Sequence, residues 1–71
     1  MQHLQQVFIE QLQQHQAIVH KVCNMYVQQA GERADLFQEI CLQAWKAYPN
    51  FKGDAKFSTW LYRVALNTAI G

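Results

Sequence analysis

The chain predicts an all-α fold of three helices, and three observations carry that reading. Apolar residues recur at three- and four-residue spacing over most of its length, and nowhere do they alternate as a strand would. Gly31, Pro49 and Gly53 mark two breaks between the helical stretches. The length of 71 residues allows one small core at most, since a chain of this size buries only about 60% of its unfolded surface. Residues 1–71 are therefore read as a single domain.

The first helix is built on Leu4, Val7, Phe8, Leu12, Ile18, Val19, Val22, Met25 and Tyr26, with a polar interruption around His15. Glutamines fill its other faces, which suits an exposed helix surface without adding charge. In AGERAD, Gly31 is suited to end that helix, and the acidic residues after it favour the start of the next. The second helix then runs to about Tyr48. Pro49 stops it, because proline disfavours the helical region for the residue before it and brings no amide hydrogen. After the loop PNFKGD, either Asp54 or Ser58 is placed to cap a third helix that reaches at least Ala69.

Composition narrows the function classes. With 51% apolar and 15% charged residues, the chain has the balance of a folded domain and not of a disordered tail. Cys23 and Cys41 both fall inside apolar helical patterns, so they read as two buried thiols in a reducing cytosol. No signal peptide opens the chain, and no apolar run approaches the ~18 residues of a membrane span, so a cytoplasmic protein without membrane insertion is expected. Catalysis has little support. His15, His20 and Cys23 share one helix and supply two convergent metal ligands at most, and no residue pair suggests a nucleophile with its base. No cofactor and no metal are expected.

Net charge is +1, too low by itself to advertise a nucleic-acid binder. Its distribution is uneven. Residues 1–45 set Lys21 and Arg33 against Glu10, Glu32, Asp35 and Glu39, whereas residues 46–71 set Lys46, Lys52, Lys56 and Arg63 against Asp54 alone.

Helical wheels divide both later helices into two faces. On the second, Leu36, Phe37, Ile40, Cys41, Ala44, Ala47 and Tyr48 form the core arc, and Asp35, Gln38, Glu39, Leu42 and Lys46 form the opposite one. That polar arc is either a plain solvated face with one stray leucine or a docking surface with Leu42 as its apolar centre. On the third helix, Phe57, Leu61, Val64, Ala65 and Thr68 point inward, with Trp60 at the margin and Leu66 and Ile70 left exposed. Lys56, Thr59, Arg63 and Asn67 share an arc without a carboxylate, which Lys52 extends. Such cations attract phosphate, and an aromatic such as Trp60 stacks on an unpaired base. Phe51 offers a second platform or closes the loop onto the core, and Gly53 supplies a positive φ or a close backbone approach.

From Asp35 to Ile70 the sequence DLFQEICLQAWKAYPNFKGDAKFSTWLYRVALNTAI resembles region two of bacterial RNA polymerase sigma factors, in the small extracytoplasmic function group. The resemblance rests on DLFQE, on Trp45 two turns later, on FKGD and on FSTWLYRVALNTAI together, and it extends more loosely to the first helix. It implies a compact orthogonal bundle that carries two contacts. The helix with DLFQE binds the clamp helices of the polymerase β′ subunit, through Asp35, Gln38, Glu39, Leu42 and Lys46. The loop and helix after it recognise and melt the promoter minus-ten element and hold its non-template single strand, through Asn50, Phe51, Lys52, Gly53, Asp54, Lys56, Ser58, Thr59, Trp60, Arg63 and Asn67.

The resemblance further implies a transcription initiation factor that makes and breaks no bond. Family members are commonly held inactive by an anti-sigma factor that covers these same faces, so such a partner is admitted here. At Gly71 the family's helix would continue and lead by a linker to region four, which this chain lacks, so a fragment of a longer protein is expected. Two other readings compete: a small helical protein-interaction module with no DNA role, and duplex reading by a helix-turn-helix. The second is disfavoured because the exposed end of its recognition helix would carry Phe57 and Trp60 where base-edge readers belong.

Overall fold

At His15 the first expected helix breaks in two. The computed structural model describes residues 2–71 and has four α-helices: α1 (Gln2–Gln14), α2 (Gln16–Tyr26), α3 (Ala30–Ala47) and α4 (Phe57–Ile70). A 3₁₀ turn covers Tyr48–Asn50. His15 takes φ −118° and ψ 15°, in the bridge region between helix and strand. Its amide is shared between the Gln11 and Leu12 carbonyls, its own carbonyl accepts from the Ile18 amide, and its Nδ1 lies 2.9 Å from the Gln11 carbonyl oxygen. The backbone groups freed by the break are thereby satisfied locally. The break falls where the apolar pattern lapses, since no apolar residue at three- or four-residue spacing links Leu12 to Ile18.

The connection from α2 to α3 also differs from expectation. Gly31 does not end a helix; it sits in the first turn of α3, with open space where a side chain would be. The chain instead leaves α2 at Val27, whose amide still reaches the Cys23 carbonyl at 2.9 Å. Arg33 does the closing work. Its guanidinium donates to the carbonyl of Val27 at 3.4 Å and to that of Gln28, placing a cation at the carbonyl end of α2. Glu32 lies in the first turn of α3 as expected.

Pro49 ends α3 as the sequence predicts, with the 3₁₀ turn carrying the chain one step further. The predicted caps of the last helix do not form. The N-cap of α4 is Lys56, without a side-chain cap bond, because Asp54 lies two residues too early and Ser58 is already inside the first turn.

Phe8, Val19, Val22, Cys23, Ile40, Ala44, Tyr48, Phe57, Leu61 and Ala65 form the core. α4 packs against both α2 and α3, which also touch each other, and α1 is held mainly through Phe8. The Phe8 ring lies 5.2 Å from Trp45, 4.9 Å from Tyr48 and 6.4 Å from Phe57. Tyr48 sits at the centre of this cluster, and its hydroxyl donates to Gln11 Oε1 at 2.9 Å, so the buried ring keeps its polar end satisfied. The radius of gyration, 11.8 Å, is near the roughly 11 Å of a compact chain this long.

Three expectations about burial change. Leu4, Met25 and Tyr26 follow the helical period but lie exposed, at the outer ends of α1 and α2. Leu66 is half-buried against the core, while Ile70 is exposed as predicted. Cys23 is buried, but Cys41 is only half-buried; both are free thiols, and burial raises the pKa of each above the ordinary 9.0.

Candidate functional site

On α3, packing of Ile40 and Ala44 inward turns the opposite side to solvent. Asp35, Gln38, Glu39, Leu42 and Lys46 are all exposed, with Leu42 46% accessible. Gln43 Nε2 donates to Glu39 Oε2 at 2.7 Å, one turn apart, and steadies that carboxylate. The sequence reading missed Trp45. It lies one turn beyond Leu42, is 36% exposed, and is braced from behind by Phe8. Leu42 and Trp45 thus form one apolar strip within a polar surround, which is the anatomy of a protein interface centre and rim. The spacing of three residues was the available signal; the bracing by α1 was not.

The second face begins in the loop. Gly53 has φ +78°, and nothing lies within 4 Å of where its Cβ would be, so the positive φ and not a close approach is what requires glycine. Asn50, Lys52, Gly53 and Asp54 are exposed. Phe51 folds back to 6.1 Å from Tyr48, 5.9 Å from Phe57 and 5.1 Å from Trp60, closing the loop onto the core while part of the ring stays accessible. Both roles considered for Phe51 are thereby compatible in one position.

Lys56, Thr59, Arg63 and Asn67 are exposed along α4, one side of which is pinned inward by Phe57, Leu61 and Ala65. Trp60 is half-buried. Its ring packs 5.4 Å from Phe57 and 6.0 Å from Tyr48, so its inner edge is fixed and its outer part borders the cationic strip. Ser58 is half-buried on the far flank of α4, toward α2.

Folding brings two residues to this strip that the linear charge split did not. Glu39 and Gln43 of α3 line one shallow hollow together with Asn67 and Thr68 of α4. Lys21 of α2 lines another hollow with Ser58, Thr59 and Tyr62. Thr68 itself is occupied, since its hydroxyl donates to the Val64 carbonyl at 2.8 Å. Elsewhere, His20 stacks on Phe37 with ring centroids 4.5 Å apart, and among the described residues no three His, Cys, Asp or Glu side chains converge as metal ligands would. No helix among the described residues is long and apolar enough to cross a membrane.

The family description Sigma-70 region 2 matches residues 12–70. The RNA polymerase sigma-H factor of Pseudomonas aeruginosa is 45% identical over 53 residues, covering 70% of this chain and 28% of its own length. The ECF RNA polymerase sigma-E factor of Escherichia coli K12 is also 45% identical over 53 residues, covering 70% of this chain and 27% of its own. The match therefore spans less than a third of the length of either relative. No solved structure matches the chain significantly. Since the match takes in residues 12–70, all of the chain but the first turns of α1, the chain belongs to the sigma-70 region 2 family.

Proposed function

We propose that this domain acts in transcription initiation, docking on the β′ clamp helices of RNA polymerase through the outer face of α3 and holding the opened non-template strand of the minus-ten element along α4 and the loop before it. The observation that carries the reading is the strip of Lys56, Thr59, Arg63 and Asn67, exposed and free of carboxylates along α4, beside the half-exposed Trp60 and Phe51. Membership in the family and relatives named as RNA polymerase sigma factors support the general role.

Energetics favour a grip on strands already apart. Unstacking costs about 1.4 kcal/mol per base-pair step. Stacking one freed base on an aromatic returns roughly 1–3 kcal/mol. Two or three held bases offset the loss of a short opened segment. No bond is made or broken by this domain. A net charge of +1 gives little non-specific attraction, so on this reading the polymerase supplies much of the affinity and the domain supplies the selection of unpaired bases.

The two faces are tested separately, in holoenzyme built from the intact chain and core polymerase. Charge reversal of Lys56 and Arg63 to glutamate is expected to reduce promoter opening at least tenfold while core association persists. Changing Gln38 and Leu42 to alanine is expected to weaken core association instead. Unchanged opening in the first variant removes the DNA role and leaves a helical protein-interaction module; unchanged association in the second removes the docking role.

A further inference from the structure

The hollow between α2 and α4 adjoins the proposed strand-holding face at Ser58 and Thr59. Its remaining walls are Ile18, Lys21 and Tyr62, it holds about 320 Å³, and none of its lining residues is acidic. Tyr62 is 38% exposed, one turn after Ser58 and Thr59 on the same side of α4. Lys21 is exposed on α2. The other cation of the first 45 residues, Arg33, is already engaged with the Val27 and Gln28 carbonyls, so it is Lys21 that the fold delivers to α4. The exposed ridge of Lys56, Arg63 and Asn67 has Trp60 on one side along α4 and this hollow on the other.

We propose that the hollow is a second contact for the same single strand: the Lys21 ammonium pairs with a backbone phosphate, and the Tyr62 ring carries the neighbouring base. Continuity with the strip through Thr59, and the match of an acid-free, lysine-bearing hollow to a polyanion, select single-stranded DNA as the occupant. The hydroxyls of Ser58 and Thr59 are suited to donate to phosphate oxygens at the rim. The proposal rests on the reading of α4 as a strand-holding helix, and it extends the contact to a helix whose sequence carries no such signal.

The test measures binding of holoenzyme, made from the intact chain and core polymerase, to a single-stranded minus-ten oligonucleotide across a salt series. One phosphate contact on a single strand contributes about 0.7 to the slope of log affinity against log salt. Lys21→Gln is expected to lower that slope by about 0.7, and Lys21→Arg to restore it. Tyr62→Ala is expected to weaken binding about tenfold with the slope unchanged, because stacking releases no counterion. Arg63→Gln serves as the separate check on the underlying reading. Should Arg63→Gln weaken binding while Lys21→Gln leaves the slope unchanged, the hollow is not a strand contact and the α4 reading stands; should neither matter, both fall. A Lys21→Gln defect that appears in core association and not in DNA binding makes the hollow a protein contact and overturns the proposal.

Discussion

Cys23 and Cys41 titrate above the ordinary 9.0 because desolvation penalises their thiolates; Arg33 opposes this weakly at Cys23, and the neighbouring Cys23 adds to it at Cys41. The folded chain therefore keeps protons that the unfolded chain gives up. Their contribution to stability is complete below about pH 9 and is lost as pH rises through the folded-state values. Denaturant midpoints measured from about pH 8 to 10 are expected to fall with pH, and to fall less steeply once both cysteines are alanine. An identical slope in the cysteine-free protein contradicts this. At the same scale, Leu42 and the strip of Lys56, Arg63 and Asn67 were legible in the sequence, because a wheel assigns a face whenever the buried side is strongly apolar. Trp45 was not legible as a surface residue, since only the placement of Phe8 behind it decides how much of the indole stays outside.

The elements are joined by side chains more than by loop composition. Arg33 holds the exit of α2 from within α3, so Arg33→Gln is expected to destabilise the fold by about 1 kcal/mol, with the loss of hydrogen bonds to a charged donor partly made up by solvent. Amide exchange separates this from a general effect: protection is expected to drop first in the last turn of α2 and at residues 27–29, and a uniform drop across all helices contradicts the assignment. Helix type and order were readable from periodicity, and Pro49 gave its stop correctly. Junctions were less readable. Gly31, taken as a terminator, is tolerated in the first turn of α3, and the break at His15 replaced one long helix by two where the apolar pattern lapses. Asp54 and Ser58 looked like caps by type, but the backbone enters α4 at Lys56.

Across the whole molecule, two exposed faces are arranged around one aromatic and aliphatic core, so that α3 and α4 each give one side inward and one outward. The all-α architecture followed from the sequence, whereas the neighbourhood of the faces did not: Glu39 and Asn67 come to line one hollow, and Lys21 and Thr59 another, only through helix packing. The half-buried Trp60 is where core and strip meet, and it bears the central claim. The most direct measurement compares holoenzyme affinity for the single-stranded non-template minus-ten segment with that for the same segment paired, using wild-type chain, Trp60→Phe and Trp60→Ala. The wild type is expected to prefer the single strand, Trp60→Phe to keep most of that preference, and Trp60→Ala to lose about tenfold with core association unchanged. Equal affinity for paired and unpaired DNA, or a Trp60→Ala chain that still binds the single strand as tightly as wild type, contradicts the account.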